Sequence, residues 1–175
     1  MASNERVVRG DASARAAAFT VLADQHLDAS YRLAHAIVGD RAEAEDATHD
    51  ALVQAWRQWP SLRDHSRFEA WFHRILVNTC RNRLRSRNRW RTQDLSSDLD
   101  VASGDAIGQS DDRQQMGTAL ARLSPDHRSV LALRYYLDLP IDEIASRLGI
   151  PSGTVNSRLH YALKELRVAL GETDD

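Results

Sequence analysis

Scarcity narrows this chain first. One cysteine, Cys80, in 175 residues excludes an internal disulfide and any Cys-rich zinc site. No apolar run approaches the roughly 18 uninterrupted residues of a membrane span. The opening stretch MASNERVVRGDASARAAAF has no long apolar core of a signal peptide, so a cytoplasmic location without membrane insertion is expected. There is no Gly-rich phosphate loop and no G-x-S-x-G nucleophile motif. The seven histidines, at 26, 35, 49, 65, 73, 127 and 160, are scattered without convergent ligand spacing. Neither an enzyme nor a cofactor nor a metal site is expected. Lysine is almost missing, one against 22 arginines, which reads as GC-rich codon bias rather than function.

What is present is charge, unevenly placed. The net charge of −2 conceals a balance of +4 over residues 1–91, −6 over 92–112 and zero over 113–175. Arg81, Arg83, Arg85, Arg87, Arg89 and Arg91 place six guanidiniums within 11 residues. Weakly hydrated, fork-shaped guanidiniums suit phosphate oxygens. A solvated helix C-terminus also favours cations, but six unpaired like charges repel one another, which points to an anionic partner.

The stretch from Thr92 to Asp112, rich in Ser, Asp and Gly, buries too little apolar surface to offset its ordering entropy and reads as a flexible acidic linker. It divides the chain into residues 1–91, residues 92–112 and residues 113–175. No internal repeat stands out, and strand signals are weak throughout. The expected fold class is all-α: two small helical domains joined by that linker, the C-terminal one a helix-turn-helix.

In the N-terminal unit a helical pattern covers residues 14–38, with Gly39 as the left-handed residue that ends it. Asp40 and Glu43 then have capping-box spacing. The next helix runs from Arg41 to about Trp59 and stops at Pro60. A third starts near Arg67, with Phe68, Trp71, Phe72, Ile75 and Leu76 as its buried side, and enters the arginine cluster. In the C-terminal unit Ser124 caps a helix with Pro125 at its first position, expected to reach about Leu137. Ile141, Ile144, Ala145 and Leu148 share one helix face. Gly149 ends that helix and Pro151-Ser152 begins the last, with Val155, Leu159, Ala162 and Leu166 inward and Thr154, Ser157, Arg158, Tyr161 and Lys164 outward.

Two short helices around a Gly turn, the second with a polar and basic outer face, describe a DNA-binding helix-turn-helix. Ser152, Thr154, Asn156, Ser157 and Arg158 would lie in a major groove. The plainer alternative is an αα-hairpin with a solvated face. Trp71 and Trp90 could stack on unpaired bases, although Trp71 also suits a core. Glu45, Asp46, His49 and Asp50 form either a solvated acidic face or a docking surface for a basic protein. A stand-alone helix-turn-helix regulator, a metal-dependent hydrolase and a protein-interaction module remain open at this level. The first would need a dimer seam, and no coiled-coil pattern supplies one.

Three blocks in order resemble the extracytoplasmic-function sigma factors of bacterial RNA polymerase. They are YRLAHAIVGDRAEAEDATHDALVQAW at 31–56, FEAWFHRILVNTCRNRLRSR at 68–87 and LSPDHRSVLALRYYLDLPIDEIASRLGIPSGTVNSRLHYALKELR at 123–167. The resemblance implies region 2 in residues 1–91, region 4 in 113–175, and an acidic linker threading the RNA exit path. It implies core polymerase as partner, with Asp46, His49, Asp50 and Val53 on the clamp of its largest subunit and region 4 on the flap of the second. Promoter DNA would be met at the −10 element by Arg63, His65 and Arg67, in a loop that holds a flipped base, and by Asn78, Arg81 and Arg85. Ser152, Thr154, Asn156, Ser157, Arg158 and Tyr161 would meet the −35 element, and an anti-sigma factor is a further expected partner.

The chain departs from that pattern at several places. His49 stands where the family usually has Gln, which would make that contact pH-sensitive. Asn82 replaces a common Asp. Asn156, Tyr161 and Leu163 occupy positions that are often basic, leaving Arg158, Lys164 and Arg167. Each lost phosphate contact flattens the salt dependence of binding by about 0.9 in log–log slope.

Overall fold

The computed structural model describes residues 2–93 and 111–171, and the described part is all-helical. Helix α1 spans Ala2–Val38, α2 Arg41–Gln58 and α3 Phe68–Gln93. After the acidic stretch come α4 (Asp111–Arg122), α5 (Pro125–Leu131), α6 (Ile141–Leu148) and α7 (Ser152–Ala169). Both ends of the expected linker are thus helical: Thr92 and Gln93 belong to α3, and Asp111 and Asp112 to the first turn of α4, where acids complement the helix dipole. The rest of the linker lies outside the described residues. Helix α1 begins well before the expected residue 14, and among its described side chains the buried ones begin at Phe19.

Local chemistry sets most boundaries. Gly39, at φ +79°, ends α1, and its N–H donates to the His35 carbonyl at 2.8 Å. The Asp40 carboxylate accepts from the Glu43 N–H at 2.8 Å and starts α2. At the far end Pro60 has no N–H to continue α2, and the chain passes through a single 3-10 turn, Trp59–Ser61. Ser124 Oγ accepts from the His127 N–H at 3.1 Å with Pro125 next to it, as the sequence requires for the start of α5.

One expected helix differs. The ladder after Leu131 widens to a π turn over Ala132–Tyr136, closed by the Leu137 N–H on the Ala132 carbonyl at 3.2 Å. Pro140 bars a helical Leu139, and Asp138 takes φ +51°, so the chain turns back there. The Leu139 N–H then bonds to the Leu133 carbonyl at 3.2 Å and Arg134 Nη1 to the Leu139 carbonyl at 2.9 Å. These bonds from the returning chain replace the regular helical ones.

Helix α2 meets its neighbours through Ala44, Ala47, Ala51 and Ala55, all fully buried. Small side chains on one stripe let α1 and α3 approach closely. Phe19, Trp59, Phe68, Trp71 and Phe72 gather at one end, with Phe19 edge-on to Trp59 at 5.4 Å and Phe68 stacked on Phe72 at 5.6 Å. In the C-terminal group, Val130, Leu133, Ile144, Val155 and Ala162 are fully buried.

Helix α3 serves both groups, packing against α1 and α2 on one side and against α5 and α6 on the other. Buried residues of the two groups therefore form one continuous cluster. The junction is tied by polar side chains. Arg128, 4% exposed, reaches the Ile37 and Val38 carbonyls at the end of α1 at 3.3 and 3.5 Å. Arg147 on α6 donates to Nδ1 of the buried His73 on α3.

Gly149 ends α6 at φ +65°, and the Ile150 N–H bonds back to the Ala145 carbonyl at 3.1 Å. A Cβ there would also lie 3.2 Å from Arg74 Nη2, which the flexible arginine can relieve. The left-handed backbone itself is the larger penalty. Gly149→Ala is expected to lower unfolding stability by about 1–2 kcal/mol, read from urea midpoints; an unchanged midpoint would refute the conformational role.

Candidate nucleic-acid interface

The arginines of α3 alternate at i, i+2, a step of about 200° around a helix. The cluster therefore splits. Arg81 and Arg85 lie on one side, facing α5, and Arg83 lies on the other, facing α2. Six unpaired cations were the sequence expectation, and at least three are paired.

Arg83 faces the acids of α2. Its Nη2 lies 2.7 Å from Asp50 Oδ2, and its Nη1 lies 3.3 Å from Glu43 Oε2 and 3.4 Å from Asp46 Oδ2. Burial works against the Arg83 charge, but Asp50, Glu43 and Asp46 outweigh it and push its pKa up. Asp46, His49 and Asp50 are all exposed, and Val53 beside them is half-buried. The α2 face thus offers acid oxygens to solvent on a lattice held from behind by one guanidinium.

Arg81 and Arg85 converge on Asp126, in the first turn of α5. Oδ1 accepts from Arg81 Nε at 2.6 Å, from Arg81 Nη2 at 2.6 Å and from Arg85 Nη2 at 2.9 Å. Oδ2 lies 3.0 Å from Nη2 of Arg158, on α7. Partial burial would raise the Asp126 carboxyl; the arginines, Arg81 foremost, outweigh it and hold it below the usual carboxylate range. Asn78 is exposed and its Oδ1 accepts from Arg81 Nη1 at 3.3 Å.

The loop before α3 is a separate place. Asp64 Oδ1 accepts from the Ser66 N–H at 3.0 Å and from Ser66 Oγ at 2.6 Å, and Oδ2 pairs with Arg67 at 3.3 Å. His65 stacks on Trp59 at 4.3 Å between ring centres. Arg63, His65 and Arg67 are exposed. Fourteen residues of helix, about 21 Å at 1.5 Å per residue, separate Arg67 from Arg81. Trp71 is half-buried in the aromatic cluster, which answers its dual reading in favour of core; the Trp90 and Arg91 side chains lie outside the described residues.

On α7, Asn156, Ser157 and Tyr161 are exposed, and Ser152 and Thr154 are half-buried. Ser152 Oγ donates to Asp142 Oδ1 at 2.7 Å, tying the two helices of the helix-turn-helix. Ser157 Oγ turns back to the Gly153 carbonyl at 3.0 Å. Arg158 is turned toward α5 rather than outward.

Asp126 and Arg128 escaped the sequence reading, and Arg83 was read only as one of six unpaired cations. Asp126 in sequence is only a favourable acid in the first turn of a helix. The one usable signal for Arg83 was its half-turn offset from Arg81 and Arg85. Arg128 carries no local signal; burial first and then the Arg87 charge bring its guanidinium down to about 10. Among the described residues no group of three His, Cys, Asp or Glu side chains is placed to hold a metal ion, and no helix is long and apolar enough to cross a membrane.

The family "Sigma-70 region 2" matches residues 22–90, and "Sigma-70, region 4" matches residues 113–166. The chain is 37% identical over 169 residues to the ECF RNA polymerase sigma factor SigL of Mycobacterium tuberculosis, covering 94% of this chain and 96% of that one. It is 34% identical over 150 residues to the RNA polymerase sigma-E factor of Streptomyces coelicolor, covering 84% and 82%. Among solved structures, the sigma factor RpoE in complex with the anti-sigma factor NepR from Bartonella quintana superposes with a TM-score of 0.69 at 28% identity, covering 89% of this chain and 98% of that one. Both regions occur in order, on α1–α3 and α4–α7. This chain belongs to the ECF sigma factors, which direct RNA polymerase to promoters.

Proposed function

We propose that this sigma factor docks on the polymerase clamp through the exposed face of α2, with Asp46, His49, Asp50 and Val53 as contacts. Region 4 engages the flap of the second large subunit. The loop residues Arg63, His65 and Arg67, with Asn78, Arg81 and Arg85 on α3, meet the −10 element. Ser152, Thr154, Asn156, Ser157, Arg158 and Tyr161 on α7 meet the −35 element. Melting then draws on phosphate contacts and captured unstacked bases, with no bond made or broken by this chain. The observation that carries this reading is the ordered pair of sigma regions, with a basic α3 in the first and a helix-turn-helix in the second. An anti-sigma factor is a further proposed partner, supported by the complex in which the similar RpoE was solved.

The test is transcription by the purified chain with bacterial core polymerase on a library of random upstream sequences. Discrete starts with two enriched, spaced elements are expected, and none without the chain. Arg158→Ala should weaken selection at one upstream position by about 1–3 kcal/mol, the worth of a bidentate base contact. Sequence-specific duplex binding without core binding or initiation would instead support a stand-alone regulator.

A further inference from the structure

Asp126 brings together side chains that the proposed promoter contacts would need far apart. Elements centred about 25 base pairs from each other lie about 85 Å apart along B-DNA at about 3.4 Å per pair. Yet Arg81, Arg85 and Arg158 all reach one carboxylate within 3.0 Å. A chain in this arrangement cannot serve both elements at once. We propose that Asp126 acts as an internal stand-in for a DNA phosphate, a latch that holds the free chain closed with the arginines of α3 and α7 turned inward. The identity of those arginines as promoter contacts rests on the function proposed above; the latch itself rests on the geometry.

The chemistry suits a contact made to be exchanged. A carboxylate offers about four lone-pair positions, two on each oxygen; here three guanidinium nitrogens crowd Oδ1 and one lies at Oδ2, so the two oxygens are unevenly served. Three cations around one anion leave an excess of +2, so a more highly charged anion competes well for the same groups. Arg158 Nη1 is buried with no partner among the described residues, a donor that phosphate could satisfy. The polar ties across the junction are exchangeable too. Arg128 on the end of α1 and the Arg147–His73 contact between α6 and α3 are polar, and water can replace their partners when the halves part.

The experiment uses the full-length chain with dyes on cysteines at Val21 of α1 and Val168 of α7, which are 54% and 69% exposed. Cys80 stays silent, because burial pushes its thiol up to about 12. Energy transfer and affinity for duplex DNA carrying the selected upstream element are measured for wild type, Asp126→Asn and Asp126→Ala. Asp138→Asn removes the same charge at a side chain 97% exposed and controls for bulk electrostatics. The latch predicts a compact wild type, at least a halving of the compact population in both Asp126 variants, and DNA binding about tenfold tighter than in Asp138→Asn. A compact population unchanged in both variants, or an open wild type, overturns the latch whatever the DNA result. Opening without any gain in DNA affinity leaves the latch standing and removes these arginines from the proposed promoter contacts. Asp126→Asn is isosteric, so it decides the matter if Asp126→Ala loses its helical circular dichroism.

Discussion

Phe72→Ala is expected to remove about 3–5 kcal/mol of stability. Phe72 is fully buried and stacks on Phe68, and the cavity left behind would sit between helices that cannot collapse into it. Domains of this size hold only about 5–15 kcal/mol in all. The loss should spread, because α3 packs against helices of both halves. Urea unfolding followed by far-UV circular dichroism and by the fluorescence of Trp59 and Trp71 should show both probes displaced to lower urea. A loss below about 1 kcal/mol would mean that α3 is not the keystone its burial implies.

Acid should weaken the same junction through His73. Burial, then the charges of Arg147 and His26, hold its imidazole down to about 4, against 6.5 when unfolded. Its Nδ1 accepts from Arg147, which also pairs with Glu143, and Glu69 Oε1 lies 3.9 Å away, too distant to stabilise a proton strongly. Between the two values the unfolded chain binds a proton that the folded chain refuses. Stability is therefore complete above about pH 6.5 and falls progressively toward pH 4, by roughly 3 kcal/mol in total at about 1.4 kcal/mol per pKa unit. Asp126, whose carboxyl is lowered, acts in the same sense, but its contribution is lost only as pH falls below its unfolded value of 3.8, at the acid end of the His73 window. His73→Leu should flatten the dependence between pH 7.5 and pH 5 in urea midpoints. An equal slope in wild type and variant would assign the acid sensitivity elsewhere.

Much of the fold was legible because its signals are local. Gly39, Pro60, Ser124-Pro125 and Gly149 mark boundaries through φ preference, a missing N–H or a cap, and each acts within a few residues. The π turn at Ala132–Tyr136 was not legible, since its Leu133 carbonyl and Arg134 side chain bond to Leu139, on a chain that returns only after Asp138. Extra turns on α1, α3 and α4 escaped because polar helix ends carry no apolar period. The acidic face of α2 and the outer face of α7 were readable as faces; the state of their charges was not.

The sequence by itself determined the all-helical class, most helix stops, the helix-turn-helix and the membership in a sigma family, since period, caps and ordered motifs are properties of neighbours along the chain. Only the tertiary structure decided where the charges go. Arg81 and Arg85 meet an acid 45 and 41 residues away, and Arg83, two residues from each, meets acids on the opposite side. A guanidinium finds its partner through space, and no spacing in a sequence records which carboxylate the fold will bring within 3 Å.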